Sequence, residues 1–306
     1  MSDDRPGPFL VLTGPTAVGK TELSLRVAER LGAEIVSADS RQVYRELDVG
    51  TAKPGEAERA RVPHHFVDEL ALGTPWSAGR FADAANERIA AILDRGGVPL
   101  VVGGSTLYLE ALVHGLANVP AGDPAVRAAL VREVATPAGA AALFEELQRV
   151  DPTGAATLDP TKTQRLVRAL EVYRTTGRPW SSYFEAVTPP PYRYRVVVLT
   201  RARAELYRRV EARVAWMLEA GLVEENRRLL EAGFRLDTNP LRTIGYQEPI
   251  AYLTGAISYE EMVRWLGQNT RRYAKRQLTW FRRRAEYEWL DLGEVSGGGV
   301  LGVLLQ

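Results

Sequence analysis

Phe9-Leu10-Val11-Leu12-Thr13-Gly14-Pro15-Thr16-Ala17-Val18-Gly19-Lys20-Thr21 decides the reading of this chain. Phe9 to Thr13 is an apolar and β-branched run, the pattern of a buried strand. Gly14 to Thr21 matches G-x-x-x-x-G-K-[ST] at every fixed position. Leu23, Val27 and Leu31 then recur at i, i+4 and i+8, which predicts a helix. Strand, glycine loop and helix in that order are the context of a phosphate-binding loop. The glycines let backbone N–H groups turn inward on a polyphosphate, and the helix N-terminus adds its positive end. Lys20 supplies a mobile cation, and the Thr21 hydroxyl is placed to ligate Mg²⁺. The loop specifies a polyphosphate, not a nucleotide.

Working outward, alternating strands and helices are predicted over residues 9–115. Ile35-Val36 is a short strand running out at Asp39, and Val98 to Val102 is a strand ending at Gly103-Gly104. Between them Phe81, Ala85, Ile89 and Ile92 mark a helix over 80–94. Such alternation predicts an α/β fold, a parallel sheet flanked by helices. Residues 120–187 change character: rich in Ala, Leu, Glu and Arg, with no convincing strand. Thr188-Pro189-Pro190-Pro191 breaks the chain, and Tyr194 to Leu199 is again a strand. The expected organisation is therefore a first core segment, 1–117, an all-helical insertion, 118–188, and a core-completing, mostly helical C-terminal part, 189–306. Gly297-Gly298-Gly299 reads as flexible, and Val300 to Leu304 as an edge strand or a packed tail.

Composition bounds the function. The chain has 306 residues, 45% of them hydrophobic, so it can bury a large core. Net charge is +1, so attraction to nucleic acid or membrane must come from a local patch. Absence of cysteine excludes disulfides, zinc–thiolate sites and thiol nucleophiles. The polar, proline-bearing start is not a signal peptide, and no apolar run approaches the roughly 18 residues of a membrane span. A soluble, cytoplasmic protein without membrane association is expected. With no heptad or exposed apolar stripe in view, so is a monomer.

The chemistry turns on the second acid. A motor or switch NTPase places an acidic residue at the end of a later apolar strand, but the 98–102 strand ends in Gly103-Gly104-Ser105. The acid that follows a strand is Asp39. It reads either as a helix N-cap or as a carboxylate facing the phosphate loop, a general base toward an acceptor. The second reading favours a transferase over a hydrolase.

Asp39-Ser40-Arg41-Gln42-Val43-Tyr44-Arg45-Glu46-Leu47-Asp48-Val49-Gly50-Thr51-Ala52-Lys53-Pro54 resembles the second signature of the tRNA dimethylallyltransferases, also called isopentenyl-tRNA transferases. The resemblance runs on through Val62 to Asp68, Ser77 to Phe81, Val102 to Tyr108, Arg165 to Tyr173, Ile244 to Glu248 and Thr270 to Arg282. Two positions depart from the family pattern. Asp159-Pro160-Thr161-Lys162 stands where His-Pro-Asn-Asp is usual, bearing on a tRNA contact or a helix cap. Ser105 stands where the turn usually has Thr, keeping the hydroxyl but losing a methyl.

The resemblance implies a P-loop NTPase-like fold and transfer of a dimethylallyl group from its diphosphate to N6 of the adenosine just 3′ of the tRNA anticodon. It implies that Gly14, Pro15, Thr16, Ala17, Val18, Gly19, Lys20 and Thr21 hold dimethylallyl diphosphate, with Mg²⁺ on Thr21. Asp39 would take the N6 proton. Arg213 would steady the diphosphate, its alternative being a solvated helix arginine. The tRNA anticodon stem-loop would meet Asp39, Ser40, Arg41, Gln42, Ser105, Arg127, Thr163, Gln164, Arg165, Leu166, Val167, Arg242, Thr243, Ile244, Gly245, Tyr246 and Gln247.

Arg264, Arg271, Arg272, Lys275, Arg276, Arg282, Arg283 and Arg284 fall in one stretch with no acid between them. An unpaired basic cluster in a nearly neutral chain points to RNA phosphate contact, through Arg271, Arg272 and Arg276 above all. The interleaved Tyr273, Trp280 and Phe281 fit a core stripe better than a stacking platform. His64 and His65 lack a spaced third ligand, so structural or substrate-channel roles outrank a metal site. Two other functions share the loop: a small-molecule kinase of the nucleoside or shikimate type, and a non-enzymatic RNA-binding module. The kinase has no use for the basic C-terminal helix, and an intact Lys20-Thr21 pair argues against the module. ATP is expected to bind weakly and not to be turned over.

Overall fold

Strand β1 (Phe9–Thr13) lies inside a six-stranded, all-parallel sheet. The others are β2 (Ala33–Ser37), β3 (His64–His65), β4 (Val98–Val102), β5 (Tyr194–Thr200) and β6 (Glu288–Asp291), in the order β3-β2-β4-β1-β5-β6. The computed structural model describes residues 5–185, 187–294 and 297–305. It divides into two units, Met1–His114 with Pro190–Gln306, and Gly115–Pro189.

The sheet is buried on both faces, which explains its continuous apolar strands. Successive residues alternate between two cores: Val11, Val36, Val101, Val196 and Val198 serve one, Leu12, Ile35, Leu100, Val197 and Leu199 the other. Register pairs Val11 with Val101 on one side and Val196 on the other. Helices α1 (Lys20–Leu31), α2 (Glu56–Arg61), α3 (Ala78–Asp94) and α4 (Thr106–His114) come from the first segment. The insertion holds α5 (Pro124–Glu133), α6 (Pro137–Val150), α7 (Pro152–Thr157) and α8 (Thr163–Thr176) around its own core of Leu130, Leu143, Leu147, Leu166, Val167 and Leu170. The C-terminal part adds α9 (Arg203–Glu219), α10 (Leu222–Glu231), α11 (Gln247–Leu253), α12 (Tyr259–Phe281) and α13 (Gly297–Leu304).

Of the two readings of Val300 to Leu304, the packed tail is the one found: it is helical, part of α13, with Val300 and Leu304 packed on the sheet core. Glu288 to Asp291, in the C-terminal part expected to be mostly helical, is the edge strand β6; only Leu290 of its four residues is buried, too short a pattern to register. The departure at Asp159-Pro160-Thr161-Lys162 makes a turn into α8. The Asp159 carboxylate accepts from the Thr161 N–H at 2.9 Å and its hydroxyl at 2.7 Å, which holds that carboxyl below its ordinary range. His64 and His65 bond to the Val62 carbonyl and the Glu34 carboxylate respectively. Among the described residues no helix is long and apolar enough to cross a membrane.

Candidate active site

The carboxyl ends of β1, β2, β4 and β5 define the site. In a parallel sheet the crevice forms where neighbouring connections run in opposite directions. β1 sits between β4 and β5, and the phosphate loop leaves its end. Gly19 holds a backbone φ of 109° that suits glycine. Ala17 holds φ 65°, uncommon for a residue with a side chain, and its carbonyl is fixed by Arg209 Nε at 2.8 Å. Arg201 Nε holds the Val18 carbonyl at 2.9 Å. Two arginines from the β5–α9 region therefore brace the loop from outside.

The loop walls a cavity of about 690 Å³ that also meets Asp39, Arg41, Ser105, Arg213, Tyr273 and Gln277. Lys20 Nζ donates to the Gly14 and Pro15 carbonyls, each at 2.9 Å. Burial, and then the Arg213 charge, push its pKa down to about 7, with Asp39 opposing. Arg213 reaches in from α9: Nη1 donates to Thr16 Oγ1 and Nη2 to the Thr51 carbonyl, both at 3.2 Å. Burial lowers its pKa as well, with Asp39 again opposing. These cations approach each other at a cost that an incoming anion would reverse.

Asp39 follows β2. Its Oδ1 accepts the Arg41 N–H at 2.8 Å and the Gln42 N–H at 3.3 Å. These bonds close a turn rather than cap a helix, and Oδ2 has no partner among the described residues. Ser105, after β4, accepts the Ser40 N–H at 2.9 Å and so ties the two strand ends together. One part of the lining is apolar: Val214, Met217, Leu266 and Ile244, which pack in one cluster. Tyr273 completes it from α12, its hydroxyl pushed up to about 12 by burial and Asp39.

A model of one protein family, IPP transferase, matches residues 42–284. The chain belongs to this family. It is 56% identical over 302 residues to a tRNA dimethylallyltransferase of Salinibacter ruber, covering 98% of this chain and 93% of that one. Among solved structures, the full-length tRNA isopentenylpyrophosphate transferase of Bacillus halodurans matches at 38% identity and TM-score 0.72, covering 97% and 94% of the two chains. A eukaryotic dimethylallyltransferase acting on tRNA matches at 26% identity and TM-score 0.79, covering 97% of this chain and 77% of that one.

Most of the residues expected from the family resemblance fall into three groups. Thr16, Ala17, Gly19, Lys20, Thr21, Asp39, Ser40, Arg41, Gln42, Ser105, Arg213, Arg242, Thr243, Ile244, Gly245, Gln247 and Arg276 all line the cavity. Gly14, Pro15 and Val18 support the loop from behind, Val18 fully buried. Arg127, Thr163, Gln164 and Arg165 belong to the insertion, where Thr163 to Arg165 are exposed and Arg127 Nη1 bonds Glu171 at 3.1 Å.

Three of those residues are corrected to scaffold. Leu166 and Val167 face the insertion core and offer no side chain to RNA. Tyr246 is fully buried, and its hydroxyl donates to Glu225 Oε1 at 2.7 Å. The basic stretch is also less bare than it reads. Arg271 bonds Glu211 at 3.4 Å, Arg264 bonds Glu261 at 3.5 Å and Arg284 pairs with Glu110. Arg272 and Arg276 have no carboxylate partner among the described residues, and Arg276 lies 5.7 Å from the Tyr273 ring centre. Of the three aromatics, Phe281 is fully buried and Trp280 packs on the core, while Tyr273 alone reaches the cavity.

Sequence reasoning missed Gln277, Arg201, Arg209 and Glu225. Glu225 is buried and accepts the Val49 N–H at 2.7 Å and the Gly50 N–H at 3.3 Å, fixing the segment whose Thr51 carbonyl receives Arg213. A carboxylate in the middle of the amphipathic pattern of α10 was its only sequence signal.

Proposed function

We propose that this chain transfers a dimethylallyl group from dimethylallyl diphosphate to N6 of the adenosine 3′ of the anticodon in tRNA, releasing diphosphate. One observation carries the reading: Lys20 and Arg213, cations with no carboxylate partner among the described residues, line one cavity with the Asp39 carboxylate. The diphosphate lies on the loop, its charge balanced by Lys20, Arg213 and the α1 N-terminus. The wall of Val214, Met217 and Leu266 suits a five-carbon hydrocarbon. The adenine, drawn from the single-stranded loop, enters beside Tyr273.

The N6 lone pair is delocalised into the ring, so the amine is a poor nucleophile. As nitrogen bonds to the allylic carbon, the carbon–oxygen bond breaks and its electron pair leaves with diphosphate. Asp39 takes the N6 proton in that step. Mg²⁺ fits this donor set. No cluster of three or more His, Cys, Asp or Glu side chains able to hold a metal exists among the described residues. The Thr21 hydroxyl on the cavity wall is the kind of single protein ligand that Mg²⁺ accepts when phosphate oxygens and water supply the rest. When bound, the ion neutralises charge on the leaving group.

The test uses an anticodon stem-loop, dimethylallyl diphosphate and Mg²⁺. Prenylated adenosine and diphosphate should appear one for one. ATP with the same RNA should yield neither ADP nor phosphate above background. ATP consumption stimulated by a small-molecule acceptor, with no prenylated nucleoside, would replace this reading with a kinase.

A further inference from the structure

Gln277 stands on α12, whose exposed cations Arg272, Lys275 and Arg276 surround it in sequence, yet it points the other way. It is 3% exposed. Its Oε1 accepts the Thr16 backbone N–H at 2.9 Å, and its Nε2 donates to the Gly104 carbonyl at 2.8 Å. Each end of the amide has only one sensible partner, which fixes the orientation of the group: reversed, both bonds would oppose like groups.

The two partners are not ordinary backbone. Thr16 is the loop residue whose hydroxyl receives Arg213 at 3.2 Å. α9 therefore grips Thr16 by its side chain, and α12 grips it by its backbone. Gly104 is the turn residue beside Lys20. A Cβ placed there would lie 2.7 Å from Gln277 Nε2 and 3.5 Å from Lys20 Nζ. One buried amide thus links the two neighbourhoods in which Arg213 and Lys20 are held.

We propose that Gln277 is a positioning residue for the diphosphate-binding loop, setting Thr16 so that Arg213 and Lys20 converge on the donor. This rests on the reading of the cavity as the donor site. Gln277 borders the cavity, but both ends of its amide are spent on backbone, Oε1 on the Thr16 N–H and Nε2 on the Gly104 carbonyl, so its effect on the diphosphate is carried by loop shape. It should govern donor binding and leave acceptor binding to the cations outside.

Removing the amide leaves the half-buried Thr16 N–H and the buried Gly104 carbonyl without these partners, and the loop is free to shift. Gln277→Met should raise the KM for dimethylallyl diphosphate about tenfold, and weaken inorganic diphosphate by a similar factor in calorimetry. The KM for the anticodon stem-loop should stay within about twofold. Gln277→Glu adds a readout that a purely structural role would not move. Its Oε1 still accepts from Thr16, but its other oxygen faces the Gly104 carbonyl, and two acceptors repel. Once protonated, that carboxyl becomes a donor and restores the bond, with burial raising the pH at which this happens. The donor KM of Gln277→Glu, divided by that of the wild type, should fall toward one as pH is lowered; that of Gln277→Met should not. If Gln277→Met fails to fold, the pH series on Gln277→Glu decides alone. Wild-type donor KM in Gln277→Met, or donor and RNA KM raised together with no acid recovery in Gln277→Glu, would overturn the proposal. Failure of the wild type to bind diphosphate at all would instead overturn the donor-site reading, and the proposal with it.

Discussion

The arginines of the insertion and the cations around the phosphate loop are held in opposite ways. In the insertion the three arginines that tie its helices together meet carboxylates: Arg127 and Arg168 share Glu171, and Arg174 bridges Glu133 and Glu146. Around the loop Lys20, Arg209 and Arg213 meet neutral oxygens: Lys20 on Gly14 and Pro15, Arg209 on Ala17, Arg213 on Thr16 and Thr51. Arg201, which holds Val18 from outside, is paired with Glu205 at 2.5 Å and belongs with the scaffold. A cation given a carboxylate is already neutralised and serves structure. A buried cation given only carbonyls keeps its charge uncompensated, and burial pushes its pKa down. Arrangements of the second kind are completed by an anionic ligand. The difference separates binding residues from scaffold better than composition does, since both regions are rich in arginine.

The largest effect on this contrast is expected at Asp39, the carboxylate whose charge opposes the lowered pKa of both Lys20 and Arg213. Asp39→Asn keeps an oxygen for the Arg41 and Gln42 N–H groups, so the turn should survive. Single-turnover prenyl transfer should fall by roughly 10²–10⁴, the usual worth of a general base, with stem-loop affinity nearly unchanged. Lost affinity at an unchanged rate would make Asp39 a turn residue. Next in size, Lys20→Ala removes a cation from the leaving group and should cost about 10²–10³ in transfer rate. Near wild-type turnover would show that the loop carbonyls, not a diphosphate, are the purpose of Lys20.

The pKa of Lys20 gives a third test, about tenfold in size. In the ligand-free fold it sits at about 7, below its ordinary value. The folded state therefore binds fewer protons than the unfolded chain above that pH. Its contribution to stability is unfavourable below about pH 7 and is relieved as pH rises from there toward the ordinary lysine range. Diphosphate binding has the opposite sign, because it favours the charged lysine. Above pH 7 binding should take up a proton and weaken by up to about tenfold per pH unit. Calorimetry in buffers of different ionisation enthalpy measures that proton. A heat independent of buffer at pH 8 would mean Lys20 is already charged in the free protein.

On α12 the contrast can be sharpened within one helix. Among the described residues Arg272 and Arg276 have no carboxylate partner, whereas Arg271 has Glu211. Removing either of the first two should lower the log–log salt slope of stem-loop binding by about 0.7, the value per phosphate contact on a single strand. Removing Arg271 should lower it less, because Glu211 is freed at the same time. Equal slopes in all three variants would dismiss the partner as the deciding factor.

That pair also shows what the sequence made legible. The phosphate loop, Asp39 and the parallel sheet were readable because their signals are local: a fixed spacing, an acid after a strand, apolar runs between turns. The absence of acids between Arg264 and Arg284 excluded partners only within that stretch; Glu211 and Glu110 come from other elements. Gln277 meets Thr16 across 261 positions, which no spacing records. Leu166, Val167 and Tyr246 fell inside matching motifs, but a motif holds the residues that build a site together with those that touch the ligand. Burial separates them only after folding.

The smallest expected effect lies on the scaffold side. Arg174 donates to both oxygens of Glu133, at 3.0 and 3.2 Å, and to both of Glu146, at 3.0 and 2.6 Å. It joins α5, α6 and α8, so it acts on the insertion fold. Its side chain is 30% exposed, and solvent screens the pairs. Arg174→Ala should therefore cost about 1 kcal/mol of stability at neutral pH, with prenyl transfer to a saturating stem-loop within about twofold. The hydrogen bond from Arg174, before its charge, holds the Glu133 carboxyl below its ordinary range. A lowered folded pKa stabilises above the unfolded value and is lost as pH falls through the folded one. The difference in melting temperature between wild type and Arg174→Ala should accordingly be full at pH 7 and shrink below about pH 4, where unfolded glutamates protonate. A difference that persisted unchanged at pH 3 would mean that Arg174 stabilises by packing its methylenes. A tenfold loss of transfer at neutral pH would place it on the binding side, and the rule that a carboxylate partner marks scaffold would fail where its pairing is most complete.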